Sequence, residues 1–112
     1  MTQLTLNLET GSVMFRFTPE AAQELKTNLN ELMGRLKTTA TTPGSKTAPQ
    51  QSMEYRYTGD VFLELFCNPN IWASPFAARV LITLRDDRIR LNTEAELSRL
   101  IEDINQFLEQ YS

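Results

Sequence analysis

The chain has 112 residues, 41% of them apolar and 22% charged, with a net charge of −3. That length suffices for one domain, 1–112, with its own core, and the composition is that of an ordinary globular protein. There is no histidine and only one cysteine, which excludes Ser-His-Asp and Cys-His catalysis, His-containing or Cys-rich zinc sites, and an internal disulfide.

Leu4, Leu6 and Leu8 alternate with Thr5 and Asn7, the period of a half-buried strand. Glu9–Ser12 (ETGS) is turn chemistry, and Val13, Phe15 and Phe17 alternate again, so the spacing predicts a hairpin. Thr18 supplies an N-cap hydroxyl and Pro19 a first helical residue. Ala22, Leu25, Leu29, Leu32 and Leu36 then form the apolar stripe of a helix ending near Lys37. Residues 38–52 are rich in Thr, Pro and Ser and carry no large apolar side chain, which predicts a mobile loop. Strands resume at Met53, Tyr55 and Tyr57, turn at Thr58–Asp60, and continue through VFLELFC (Val61–Cys67). After Phe66–Phe76, ARVLITLR (Ala78–Arg85) is a strand, Asp86-Asp87 a tight turn, and Arg88–Leu91 a short last strand. Asn92 and Thr93 compete to cap a final helix lined by Leu97, Leu100, Ile104, Phe107 and Tyr111, and Thr93 with Glu96 has capping-box spacing. The expected fold is α+β: an antiparallel meander of five to six strands with two amphipathic helices packed on one face.

No apolar run reaches the roughly 18 residues that span a bilayer. The first twenty residues lack the basic start and apolar core of a signal peptide. With an unpaired cysteine, the expected compartment is the cytoplasm. Neither GxxxxGK[ST] nor GxGxxG occurs, so no phosphate-cradling loop, metal or cofactor is expected.

Two patterns stand above this background. The first is an internal echo: the apolar positions of the first helix, shifted by 75, fall on Leu97, Leu100, Ile104, Phe107 and Tyr111. It suggests two strand–helix units, although any amphipathic helix after a strand shows this spacing. The second is charge partition. Arg16, Arg56, Arg79, Arg85, Arg88 and Arg90 fall on predicted strands, pointing away from the large apolar side chains. Glu20, Glu24, Glu31, Glu94, Glu96, Glu102, Asp103 and Glu109 fall on predicted helices. A basic sheet face with an acidic helical back would suit a nucleic-acid backbone; a solvated face is the alternative, and the pI of 4.9 favours it.

Strand, turn, apolar–basic strand, cap and amphipathic helix follow one another through ARVLITLRDDRIRLNTEAELSRLIEDINQF (Ala78–Phe107). This order resembles the last strands and helix of the PC4/Whirly-type single-stranded-DNA-binding fold. SVMFRFTPEAAQELKTNLNELM (Ser12–Met33) ahead of a meander is similar to the first half of small cyanobacterial proteins of that architecture. The resemblance is one of topology, and it implies nucleic-acid contacts through Arg79, Arg85, Arg88 and Arg90.

FCNPNIWASPF (Phe66–Phe76) holds the only cysteine and the only tryptophan and no charge. Cys67 has no cationic neighbour in sequence to lower its pKa, so it reads as a small buried hydrophobe rather than a nucleophile. Ile71, Trp72 and Phe76 are either a lid on the core or an anchor for a partner. If exposed together with Tyr55 and Tyr57, they form a patch that a homodimer would cover. The function expected is therefore a non-catalytic interaction module, homodimeric, using Ile71–Phe76 or the arginine face. Single-stranded nucleic-acid binding on that face is the alternative. A small enzyme using carboxylates such as Glu64 ranks third, against the reading of Glu64 as a strand-edge side chain reaching solvent.

Overall fold

Each predicted strand and helix forms, and the differences lie in where they end and how the strands are grouped. A computed structural model, described for residues 2–40 and 49–111, gives β1 (Gln3–Leu8), β2 (Gly11–Arg16), α1 (Pro19–Ala40) and β3 (Met53–Thr58). These are followed by β4 (Phe62–Cys67), a 3-10 turn at Pro69–Ile71, β5 (Arg79–Arg85), β6 (Arg90–Glu96) and α2 (Leu97–Tyr111). The fold is α+β with antiparallel pairing throughout, but its six strands form two sheets, β1-β2 and β3-β4-β5-β6. No helix among the described residues is long and apolar enough to cross a membrane.

The hairpin closes where Gly11 adopts φ +134°, a conformation other residues rarely take. Leu4 then faces Phe15 and Leu6 faces Val13. Thr18 Oγ1 accepts from the Ala21 N–H at 3.1 Å, so the expected cap holds. α1 outlasts the expected end at Lys37, and residues 38–40 of the predicted loop belong to it. Positions 41–48 of that loop lie outside the described residues.

The last strand is longer than Arg88–Leu91. β6 pairs with all seven residues of β5, from Arg85↔Arg90 to Arg79↔Glu96, and the Leu97 N–H continues the ladder to Ala78 O at 3.0 Å. Thr93 is thus a strand residue opposite Ile82, not a helix cap. A buried β5 needs partners for its backbone groups along its whole length, and that requirement outweighs a local capping signal. Arg88 falls in the turn, where Asp86 Oδ1 accepts from the N–H groups of Arg88 (2.8 Å) and Ile89 (2.9 Å). These bonds hold the Asp86 carboxyl below its ordinary value.

One core joins both sheets to both helices. Leu4, Leu6, Phe15 and Phe17 meet Leu25, Leu29 and Leu32 of α1, Leu63, Leu65, Val80 and Ile82 of the larger sheet, and Leu97, Leu100, Ile104 and Phe107 of α2. Phe17 lies edge-on to Phe15, Tyr57 and Phe107, with centroids 5.9, 4.7 and 5.9 Å away. The two helix stripes that echo each other in sequence both face this core. The strand units ahead of them differ, however, with two strands in one and four in the other.

A candidate interaction face

The four-stranded sheet packs its inner face into the core, and its other face carries no helix. Strand alternation and register arrange that open face in rows. Thr58, Phe62, Arg85 and Arg90 form one end row; Arg56, Glu64, Thr83 and Asn92 the middle; Glu54, Phe66, Leu81 and Glu94 the next. Arg79 and Glu96 lie beyond them. Phe62 and Phe66 are half-buried, while Leu81 is 53% exposed. Phe66 and Leu81, paired across strands, therefore make a short apolar strip in one row, while Phe62 stands apart beyond the polar middle row.

The loop after β4 extends that strip. Asn68 Oδ1 accepts from the Asn70 N–H at 3.0 Å. The Asn70 amide exchanges bonds of 2.8 Å with both backbone groups of Gln50. These contacts pin the first half of the loop beside the entry to β3. Trp72 is half-buried and packed against the core; its buried Nε1–H makes no regular hydrogen bond. Burial pushes the Cys67 thiol up, with the Trp72 indole N–H beside it pulling weakly the other way. Cys67 is a buried core residue, as its uncharged surroundings suggested. Ile71 (68% exposed) and Phe76 (86%) point outward instead. Phe66, Ile71, Trp72 and Leu81 line a cleft of 110 Å³, which joins loop to sheet face. The tyrosines are not part of this patch. Tyr55 is in the core, its hydroxyl donating to Ala21 O at 3.2 Å, and burial holds its phenol well above the ordinary value. Tyr57 is half-buried against Phe17.

The arginines divide. Arg56, Arg79, Arg85 and Arg90 share the open face; Arg16 lies on the outer side of the hairpin, where it pairs with Asp60 at 3.0 Å. Because β6 runs to Glu96, Glu94 and Glu96 move from the expected acidic back onto the same face as the arginines. With Glu54 and Glu64 there too, four glutamates balance four arginines, so this face is not basic overall. Arg56 pairs with Glu64 at 2.7 Å, and Arg79 with Glu9 at 3.0 Å and Glu94 at 3.2 Å. These bonds hold both guanidiniums more firmly protonated. The Arg85 guanidinium instead lies 4.4 Å over the Phe62 ring.

Glu64 is half-buried and ion-paired, not a lone carboxylate in an apolar slot. Glu9 and Glu96, both exposed, line a 360 Å³ depression with Asn7, Leu8 and Arg99. The sequence reading overlooked Phe62, Phe66 and Leu81. The near-continuous apolar run of VFLELFC carries the signal for Phe62 and Phe66, since a strand apolar on both faces buries one and must offer the other. It also overlooked Asp103, assigned to the acidic back but 4% exposed, which accepts from both the Asn7 backbone N–H and Nδ2 at 2.8 Å. Comparison of the chain with protein-family models, curated proteins and solved structures finds no match.

Proposed function

We propose that this domain is a non-catalytic interaction module that pairs with a second copy of itself through the apolar strip on the open sheet face and its adjoining loop. The observation that carries this reading is the continuity of the cross-strand neighbours Phe66 and Leu81 with Ile71, all lining one cleft. Phe76 leaves the same loop 86% exposed. Exposed apolar groups cost solubility unless another surface covers them. Sedimentation of the wild type is expected to show a dimer at tens of micromolar, and Leu81→Asp to yield monomer with an unchanged thermal melt. A monomeric wild type at that concentration would sink the proposal.

A second reading, single-stranded nucleic-acid binding, is favoured by one arrangement: Arg85 on the Phe62 ring, with Arg90 in the same row and Arg88 in the adjoining turn. An aromatic ring flanked by guanidiniums can stack a base and hold its phosphate. Anisotropy of a labelled single strand decides it, since no binding at about 50 mM salt removes it.

A further inference from the structure

Arg16, Arg35, Arg56, Arg79 and Arg99 each have a carboxylate within 3.6 Å. Arg85, Arg88 and Arg90 form no ion pair among the described residues, and these three are gathered at one end of β5 and β6. Arg85 and Arg90 stand directly opposite each other in the register, where their Cβ atoms are about 5 Å apart and like charges cost stability. The acids of the same turn do not relieve this. Asp86 gives its Oδ1 to the N–H groups of Arg88 and Ile89, and Asp87 is exposed with no ion pair among the described residues. Two guanidiniums held face to face without a counter-ion suit an anion that comes from elsewhere. Arg85 is also positioned in advance, since its stacking on the Phe62 ring at 4.4 Å limits its freedom before any ligand arrives.

The surroundings restrict that anion to a single group. The next row inward holds Arg56 and Glu64, bound to each other, and the row beyond it holds Glu54 and Glu94. A polyanion laid along the face would leave the three arginines and meet carboxylates. A compact dianion meets the guanidiniums alone. Beside them Ile89, between Arg88 and Arg90, is 66% exposed and offers an apolar contact. An arginine cluster next to an apolar side chain suits a phosphorylated peptide, whose flanking residue can cover the isoleucine. A nucleic-acid base would find one face of the Phe62 ring already covered by Arg85.

We infer that Arg85, Arg88 and Arg90 bind one phosphate monoester carried on a peptide, a phosphoserine or phosphothreonine, with Ile89 against the residue beside it. This inference is independent of self-pairing and competes with the nucleic-acid reading for the same arginines.

A short fluorescein-labelled peptide with one phosphoserine beside a leucine tests it against the unphosphorylated twin. Anisotropy is read at about 20 mM salt, where exposed charges are weakly screened. The phosphopeptide is expected to bind with a dissociation constant on the order of 100 µM, and the twin about tenfold more weakly. Arg88→Gln and Arg90→Gln are each expected to weaken the phosphopeptide about fivefold. Arg35→Gln, the same loss of charge on α1, is expected to leave it unchanged. Thermal melts of the free protein give a second readout. Arg90→Gln is expected to raise the midpoint by about 1–4 °C, because it removes one of two opposed like charges. Equal binding of the phosphopeptide and its twin overturns the inference, as does phosphopeptide binding that neither variant weakens. A lowered midpoint for Arg90→Gln overturns the like-charge premise and the site with it. A single-stranded oligothymidine that binds more tightly than the phosphopeptide, and loses affinity in Arg90→Gln, overturns the peptide assignment in favour of nucleic acid.

Discussion

Cys67 and Trp72 sit together in sequence and in space, and their environment decides what each can do. A thiol that ionises reluctantly when folded is a weak nucleophile, because the thiolate is the reactive form. Alkylation of native Cys67 at pH 8 is expected to be more than tenfold slower than in the urea-unfolded chain; equal rates would contradict the buried placement. The linkage to stability has a definite sign. The folded pKa lies above the ordinary 9.0, so the unfolded chain loses its proton first. Stability from this group is complete below about pH 9 and falls as pH rises toward the folded value. Trp72 gains its place by packing, so its replacement would cost stability before it cost binding.

At the level of elements, the boundary between β6 and α2 has the widest consequence. Thr18 and Thr93 look alike in sequence, each a hydroxyl residue near the start of a helical stripe. Thr18 caps α1, whereas Thr93 pairs with Ile82 inside the sheet. Thr18→Ala is therefore expected to cost about 1 kcal/mol in urea unfolding. Thr93→Val, which suits a half-buried strand position, should change stability by less than about 0.5 kcal/mol. A loss near 1 kcal/mol at Thr93 would return it to a capping role. The same boundary moved Glu94 and Glu96 from a helix to the sheet face, and so turned an expected basic surface into one of balanced charge.

Across the whole molecule, Asp103 joins the ends of the chain. Its carboxylate takes the Asn7 backbone N–H on the edge of β1 where a further strand would otherwise pair, and this helps keep the hairpin a separate two-stranded sheet. The Arg99 guanidinium lies 3.6 Å from it, half in solvent. Removing a buried charged acceptor leaves two donors of Asn7 without partners. Asp103→Ala is expected to cost about 2–3 kcal/mol, a large share of a stability on the order of 5–15 kcal/mol. Arg99→Ala, losing an exposed partner, should cost less than about 1 kcal/mol. Equal losses would show that Asn7 contributes little.

The residues alone determined the strands and helices, because periods of two and of three to four report which side chains must leave water. Leu4, Leu6 and Leu8, the α1 stripe and the α2 stripe were legible on that ground, as was a buried Cys67 from its uncharged neighbours. The division into two sheets, the full length of β6, the burial of Tyr55 and Asp103, and the mixed charge of the open face came only with the tertiary structure. Each depends on which distant backbone group needs a partner: Asn7 needs Asp103, and β5 needs all of β6. Local spacing cannot report a hydrogen bond whose other half lies 96 residues away.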